Sequence, residues 1–480
     1  MMNRSTSARV ARSSAVDRLA QDLGDWNVGS GPLFRRLARA MADTVERGTL
    51  AHEARLPSER ALASAIWVSR GTVVAAYDQL EADGVIERRR GSGTFVAAAA
   101  RPEGLPADRE GSALLARLVG SGTTALGVID LSIAVLHDAP GLPDITITTA
   151  ELSASADRDS PWGDVVLRRS VADLLTAQDL PTEPDQVVIT TGAQQAISAA
   201  AACWVRPGDR VVVEDPTYPG AIAAFRAAGA DVVGVGVDRH GVVLDALATA
   251  VNDRPALVYL QSAGHNPTGS VMPESRRRAV ADLIATARVP LVEDIALGGL
   301  AWSGPPQRRP VPPIAARIPD HPSAVVGSFS KLFWSGLRVG FARAPRPVAS
   351  RLARVKATQD LGSSSAGQTL AARLLDHPDT PRFLADRNAV LRARAEHLMA
   401  ELGRELPTWT WDRPLGGLSL WVRLPTPDAD RFAHAALARG VAVATSEGLS
   451  ASNAHPDRIR LSFAAPEPEL TEAVRRLAMV

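Results

Sequence analysis

The first hundred residues carry short stretches in which apolar side chains recur with helical spacing. Between Pro32 and Gly48 an apolar residue falls at every fourth position, which predicts a helix with one buried face: Leu33, Leu37, Met41 and Val45. A second helix is predicted from Ser58 to Ile66 and a third from Ser69 to about Asp83, each opening on a serine that can cap it. Two short runs around Gly91-Ser92-Gly93 are typical of a β-hairpin.

The pattern changes after about residue 126, where short apolar runs alternate with helical stretches. The runs that predict strands are Val187–Ile189, Val211–Val213, Val232–Val237, Leu257–Leu260, Leu291–Val292 and Val325–Val326. Helices are expected between them, for example Ala193–Trp204 and Arg276–Ala287. This alternation is typical of an α/β domain with a mostly parallel sheet. The last part, about 382–480, mixes helices with strands such as Leu418–Leu424 and Ile459–Phe463, and predicts a smaller α+β subdomain.

A chain of 480 residues is expected to form two or three domains. We predict a mobile tail over 1–24, a first domain over 25–97, a linker over 98–125 that is rich in Ala, Pro and charge, and a large domain over 126–480. No apolar run is long enough to span a membrane and residues 1–20 lack the apolar core of a signal peptide, so the cytoplasm is the expected compartment. The single cysteine, Cys203, excludes disulfides and a cysteine-built zinc site, and we predict no metal site.

Three helices followed by a hairpin is the element order of a winged helix-turn-helix, a fold that reads DNA. The first residues of its second motif helix face the base edges, and here they are Ser69, Arg70, Gly71 and Thr72. Arg60 lies early in the preceding helix and is expected to reach the DNA backbone. Arg88, Arg89 and Arg90 lead to the hairpin tip, where Gly91 permits close approach; the alternative for such a run is a solvated charged surface.

Three successive motifs of this region resemble the GntR family of DNA-binding domains. They are Leu56-Pro57-Ser58-Glu59-Arg60, Val68-Ser69-Arg70-Gly71-Thr72-Val73 and Gly91-Ser92-Gly93-Thr94-Phe95-Val96. The resemblance implies DNA contacts at Arg60, Ser69–Thr72, Arg90 and Gly91. Residues 25–97 have ten arginines and nine acidic side chains, a net charge of +1, so one copy is expected to bind DNA weakly and a dimer to bind two half-sites.

The chain has only two lysines, Lys331 and Lys356. Lys331 lies in Gly327-Ser328-Phe329-Ser330-Lys331, followed seven positions later by Arg338, which is a plausible phosphate cradle around an amine. Lys356 lies in a helical context without these features and is interpreted as a surface residue. Asp294 ends a predicted strand, where a carboxylate faces the ligand crevice of a parallel sheet; the alternative there is a helix cap.

Further polar residues follow neighbouring strands of the predicted sheet. Ala193 and Gln194 open a helix whose N-terminus can bind a phosphate. Tyr218 follows the next strand and is either a ring-stacking residue or a core tyrosine. Asn266 follows a fourth strand, where its amide can donate to a ring hydroxyl.

In this order the motifs resemble fold-type I aminotransferases, which use pyridoxal 5'-phosphate, over about residues 126–480. The resemblance implies Lys331 as the Schiff-base lysine and Asp294 as the partner of the ring nitrogen. The remaining implied contacts are Ser328, Ser330, Arg338, Ala193 and Gln194 for the phosphate, Asn266 for the ring hydroxyl, Tyr218 for the ring face and Arg460 for a ligand carboxylate. A GntR-type head on such a body resembles the MocR/GabR family of transcription regulators, which implies double-stranded DNA, a small-molecule effector and a second copy of the chain as partners.

The sequence departs from the aminotransferase pattern at two positions. Ala296 stands where such domains usually have a tyrosine, two positions after the aspartate, and Arg158 aligns with a second usual tyrosine. We therefore predict a regulator that senses pyridoxal phosphate, alone or with an amino compound, with little or no turnover. The alternatives are a working aminotransferase with an autoregulatory head and a body that has lost the cofactor and only dimerises.

Overall fold

The computed structural model describes parts of 16–27 and the ranges 32–46, 54–82, 85–89, 93–96, 127–136, 139–153, 160–302 and 311–480. The chain divides into two compact units, residues 1–108 and 109–480, which we call the head and the body. The predicted tail and linker lie almost entirely outside the described residues. No helix in the described ranges is both long and apolar enough to cross a bilayer.

Among the described residues of the head, three complete helices are followed by a hairpin, in the predicted order. The helices are α1 (Leu33–Glu46), α2 (Glu59–Ala65) and α3 (Arg70–Ala82), and the antiparallel strands are β1 (Ile86–Arg89) and β2 (Gly93–Val96). Ser58 caps α2, since its hydroxyl accepts from the Ala61 N–H. Apolar residues of all five elements form one core: Leu37, Met41, Leu62, Val73, Tyr77, Leu80, Ile86 and Val96. Leu33, expected on the buried face, is 44% exposed because it opens α1 at the end of that core.

The body is built on an eight-stranded sheet in the order β4-β11-β10-β9-β8-β5-β6-β7. Its strands are β4 (Val187–Thr190), β5 (Arg210–Asp215), β6 (Asp231–Asp238), β7 (Gly241–Val242), β8 (Leu257–Gln261), β9 (Leu291–Asp294), β10 (Ser323–Ser328) and β11 (Gly340–Arg343). Pairing is parallel from β10 through β9, β8 and β5 to β6, while β11 is antiparallel to both of its neighbours. The predicted α/β fold with a mostly parallel sheet is confirmed.

Helices cover both faces of this sheet, because its strands are apolar on both sides. They are α4 (Thr149–Ser153), α5 (Val165–Thr176), α6 (Ala193–Trp204), α7 (Pro219–Ala227), α8 (Leu244–Asn252), α9 (Glu274–Ala287), α10 (Phe329–Leu332), α11 (Arg346–Gln359) and α12 (Ser365–Asp376). Val211 and Val213 pack on one face with α6, whereas Val212 packs on the other with α9. Alternate residues of one strand thus enter different cores.

The C-terminal part forms a second, smaller core. Helix α13 (Thr380–Glu405) precedes β12 (Thr410–Trp411), β13 (Ser419–Arg423), α14 (Ala429–Ala438), β14 (Val441–Ala442), β15 (Ala444–Thr445), β16 (Arg458–Ser462) and α15 (Glu467–Leu477). Four of these strands form an antiparallel sheet in the order β12-β13-β16-β15. The short strand β3 (Ile129–Asp130) returns to this region and pairs with β14, so residues 127–136 begin beside the small sheet.

Candidate functional site

The site lies at one edge of the large sheet, where the carboxyl ends of its parallel strands meet. Gly192 follows β4, Tyr218 follows β5, Asn266 follows β8, Asp294 ends β9 and Lys331 follows β10. Arg338 precedes β11, and because β11 is antiparallel, its amino end meets the same edge. Six positions far apart in sequence therefore converge, as expected for a ligand crevice in an open α/β sheet.

Lys331 is the central amine of the site. It lies in the one-turn helix α10, and its Nζ donates to the Ala134 carbonyl oxygen at 2.6 Å. Burial, together with the nearby cations Arg460 and Arg338, lowers the pKa of Lys331 to about 8, and Asp294 opposes this shift. A buried amine that loses its proton near neutral pH can act as a nucleophile.

Asp294 is a buried carboxylate held by two donors. Its Oδ1 accepts from the Ala296 N–H at 2.8 Å and its Oδ2 accepts from the Tyr259 hydroxyl at 2.7 Å. Burial raises the pKa of Asp294, while these two hydrogen bonds and the charge of Lys331 oppose that rise. Tyr259 was missed in the sequence, where it resembles one more apolar residue of a strand. Among the described residues, no other side chain takes the place of the tyrosine that aminotransferases usually have at the position of Ala296. Tyr259, from another strand, hydrogen-bonds to Asp294.

Groups that can bind an anion lie together near β4, β10 and β11. A Cβ on Gly192 would lie 3.5 Å from Arg338 Nη2, which places that guanidinium beside the first turn of α6 at Ala193. The Ser330 hydroxyl is buried and has no hydrogen-bond partner among the described residues. Gln194 donates to the Gly220 carbonyl oxygen at 2.8 Å, and its Oε1 is likewise without a described partner. Ser328 ends β10 at the same edge and is half-buried.

Asn266 and Arg460 form a pair on the side of the site nearest the small sheet. Arg460 Nη1 donates to Asn266 Oδ1 at 3.0 Å, and Arg460 Nη2 donates to the Ser132 carbonyl oxygen. Burial lowers the pKa of Arg460 to about 10. Burial raises the pKa of Tyr218 to about 12, and the charges of Asp294, Arg338 and Arg460 all act on it. The structure therefore brings together every cofactor-site residue expected from the sequence.

Residues 131–136 contribute backbone groups that sequence reasoning missed. The carbonyls of Ser132, Ala134 and Leu136 accept from Arg460, Lys331 and the Ser335 N–H. We call residues 131–136 the crossing segment, because it runs from the small sheet to Lys331. Every residue has a backbone carbonyl, so the residue types do not show which carbonyls accept hydrogen bonds in the site. Only the tertiary structure identifies them.

The interpretation of Lys356 as a surface residue is wrong. Its side chain is fully buried in α11, and Nζ lies 2.8 Å from Asp360 Oδ1. The other oxygen of Asp360 accepts from Gln195 at 2.8 Å. A partner four residues along the helix compensates the buried charge, and this pairing is not evident from the apolar pattern alone.

In the head, the expected DNA-reading residues lie on the surface. Arg60, Ser69, Arg70 and Gly71 are exposed and Thr72 is half-buried. The Ser69 hydroxyl caps α3, accepting from the Thr72 N–H at 3.1 Å. Arg88, expected to lead to the wing tip, instead pairs with Asp78 at 2.7 Å and with Glu81 on α3. Arg90, Gly91 and Arg158 lie outside the described residues.

Two family descriptions match the two units. Residues 33–96 match the gntR family of bacterial regulatory proteins, and residues 140–477 match aminotransferase class I and II. The chain belongs to the MocR type of transcription regulator. Relatives of this MocR-type chain carry both parts: it is 30% identical to the HTH-type transcriptional regulator YisV of Bacillus subtilis, over 90% of this chain and 92% of YisV.

The body of the MocR-type chain is also similar to enzymes. It is 32% identical to the 2-aminoadipate transaminase of Thermus thermophilus over 72% of this chain and 89% of the enzyme. The solved structure of LysN from that organism, in complex with N-(5'-phosphopyridoxyl)-L-leucine, has a TM-score of 0.67 and 28% identity, covering 77% of this chain and 95% of LysN. These matches support the expected fold, and they indicate pyridoxal phosphate as the cofactor of this MocR-type body.

Proposed function

We propose that this transcription regulator senses pyridoxal phosphate, alone or with an amino compound, through its body, and that this changes the DNA binding of its head. One observation carries the proposal: an amine of lowered pKa, Lys331, converges with Asp294, Arg338 and Arg460 at the edge of the sheet. Asp294 and Arg460 are buried and Lys331 is half-buried, and a purely structural body has no need for these charges because burying charge costs free energy.

The residues present fit pyridoxal phosphate. When bound, this cofactor supplies an aldehyde that bonds to a primary amine and a pyridine ring that withdraws electrons. Lys331 would hold the aldehyde carbon, and Asp294 the protonated ring nitrogen. The phosphate would lie by Arg338, Ser328, Ser330 and the N–H groups of α6 at Ala193 and Gln194. The buried, unpartnered Ser330 hydroxyl supports this, since such a donor is costly unless a ligand satisfies it.

The remaining residues would orient the ring and its ligand. Tyr218 would lie against the ring face, and the Asn266 amide nitrogen would donate to the ring hydroxyl, because Asn266 Oδ1 already accepts from Arg460. Arg460 would bind the carboxylate of an amino compound through a bidentate pair. Donation from Tyr259 and Ala296 favours the charged form of Asp294 and so opposes the burial that raises its pKa.

The crossing segment supports a sensing role. Its carbonyls occupy the two groups that a ligand needs, the Lys331 amine and the Arg460 guanidinium. An aldehyde bonded to Lys331 and a carboxylate on Arg460 would each compete with one of these contacts. In the sequence only five residues separate the crossing segment from the predicted linker 98–125 to the head. A ligand with different affinities for the two states of the segment can shift their populations.

The head is proposed to bind double-stranded DNA through Arg60, Ser69, Arg70, Gly71, Thr72, Arg90 and Gly91. Arg70 opens α3, the helix expected in the major groove, and can bond to a guanine edge or a phosphate. Residues 25–97 of the head have a net charge of only +1, so they have little electrostatic affinity of their own. We therefore propose that the chain acts as a homodimer that reads two half-sites.

The test is a titration of apo-protein onto DNA from upstream of its own gene, with and without pyridoxal phosphate. We expect the cofactor to change the affinity or footprint of the wild type and to have no effect on Lys331→Ala. Lys356→Arg is the matched control, because it changes the only other lysine while keeping a cation beside Asp360, and it should respond like the wild type.

Two outcomes would contradict the proposal. Specific DNA binding that is the same with and without the cofactor would remove the sensing role. Sustained amino-group transfer from an amino acid to a keto acid, absent in Lys331→Ala, would instead favour a working aminotransferase with an autoregulatory head.

A further inference from the structure

Trp67 has an unusual place in the head. It lies in the turn between α2 and α3, its side chain is 93% exposed, and its φ angle is +57°. Because this side chain is exposed, it does not contribute the apolar burial that a tryptophan usually contributes to a core. The left-handed backbone conformation is also unfavourable for a bulky side chain.

The hydrogen bonds of the turn explain why the backbone is left-handed there. The Val68 N–H donates to the Ala63 carbonyl oxygen at 3.1 Å and the Ile66 N–H to the Leu62 carbonyl oxygen at 3.0 Å. The bond from Val68 back to Ala63 is that of a Schellman cap, which places Trp67 where glycine is usually favoured. This backbone conformation therefore favours glycine or asparagine at position 67, and it does not explain the tryptophan.

The turn fixes the backbone from which the indole projects. Ile66 and Val68, on either side of Trp67, are partly buried and pack against the core of the head. The residues that follow, Ser69 and Arg70, are exposed and begin the helix expected to enter the major groove. A residue that opposes local preference and stays exposed beside a recognition helix points to a binding role.

We propose that Trp67 contacts the sugar–phosphate backbone of DNA at the edge of the groove that α3 enters. The flat apolar face of the indole packs on deoxyribose, and its Nε1–H, a donor without acceptor capacity, donates to a phosphate oxygen. Such a contact fixes the position of the head on DNA without reading a base. The inference rests on the DNA binding proposed above.

The test measures stability and DNA affinity of the full-length protein for Trp67→Gly and Trp67→Asn. Both residues tolerate the left-handed conformation, so we expect folding to be kept and Trp67→Gly to unfold at a higher temperature than the wild type. Affinity for the upstream DNA should fall about tenfold, which is about 1.4 kcal/mol. Affinity for an unrelated duplex should fall by a similar factor, because the contact does not depend on sequence.

Two further variants separate the parts of the contact. Trp67→Phe keeps an apolar ring but removes the N–H donor, and it should recover part of the lost affinity. Arg60→Ala should reduce the slope of log K against log salt concentration by about one, because one fewer phosphate is neutralised. Trp67→Gly should leave this slope unchanged, because tryptophan is uncharged.

The alternative partner is a second copy of the chain, and light scattering distinguishes it. A change of oligomeric state in Trp67→Gly would overturn the DNA contact. Wild-type affinity for DNA in both Trp67→Gly and Trp67→Asn would overturn it as well. The failure of the wild type to bind any duplex would overturn DNA binding itself, so the two proposals fail in distinguishable ways.

Discussion

At the scale of single residues, the proposed bond between the body and an aldehyde depends on the protonation of one amine. Lys331 is half-buried, and no carboxylate lies within ion-pair distance of Nζ in the described residues; the acceptor of its hydrogen bond is the neutral Ala134 carbonyl. Burial therefore dominates, and Arg460 and Arg338 add repulsion to the protonated form. The amine is thus partly neutral at the pH of a cell, and neutral amines attack carbonyl carbon.

We predict that apo-protein captures pyridoxal phosphate faster as the pH rises through the pKa of Lys331, about 8. Below this pH the rate should rise about tenfold per unit, because the neutral fraction does, and above it the rate should level off. Stopped-flow absorbance measures the rate. Arg460→Gln removes the cation that lowers this pKa most and should move the profile to higher pH, and a profile independent of pH would contradict the role given to burial.

At the scale of elements, the pairing of two strands brings a tyrosine to the aspartate of the site. Strands β8 and β9 are parallel, with Tyr259 opposite Val292 and Gln261 opposite Asp294. Tyr259 and Asp294 are therefore two positions apart on the same face, within reach of a long side chain. A shift of one residue in this pairing would move the Tyr259 hydroxyl to the other face of the sheet.

Tyr259→Phe is expected to weaken binding of pyridoxal phosphate several-fold, by about 1 kcal/mol. Loss of the donated hydrogen bond raises the pKa of Asp294 and so weakens the anion that would face the ring nitrogen. An absorbance titration gives the Kd. Tyr77→Phe is the matched control: it removes a comparable bond, from the Tyr77 hydroxyl to the Pro57 carbonyl oxygen at 2.9 Å, but in the head. Equal effects of the two variants would rule out a specific role for Tyr259.

At the scale of the whole molecule, the crossing segment is where a ligand in the body can act on the rest of the chain. The segment forms hydrogen bonds with both parts of the body. Its Leu131 N–H donates to the Ala442 carbonyl oxygen in the small subdomain, and its Ala134 carbonyl oxygen accepts from Lys331 at the large sheet. Only residues 126–130, which include β3, lie between this segment and the predicted linker in the sequence.

We predict faster amide hydrogen exchange in residues 131–136 when the site is filled. The probe is N-(5'-phosphopyridoxyl)-L-leucine, the adduct present in LysN, whose carboxylate would compete with Ser132 for Arg460. Mass spectrometry of peptides covering 131–136 measures the effect. Helix α9, which carries no residue of the site, serves as an internal control and should not change. Unchanged or slower exchange in the crossing segment would show that it is not displaced.

Local sequence was enough to predict the elements, the two-part architecture and the residues at the strand ends. Apolar periodicity is a local property, and the carboxyl ends of parallel strands always share one edge, so Lys331, Asp294 and Asn266 could be grouped from the order of the strands. Which groups from distant parts of the sequence contact these three residues depends on the folded chain. The Tyr259 hydroxyl, the Ala134 carbonyl, the buried Lys356–Asp360 pair and the exposure of Trp67 follow from strand neighbours, packing depth and backbone conformation, and none of these leaves a local pattern in the residues.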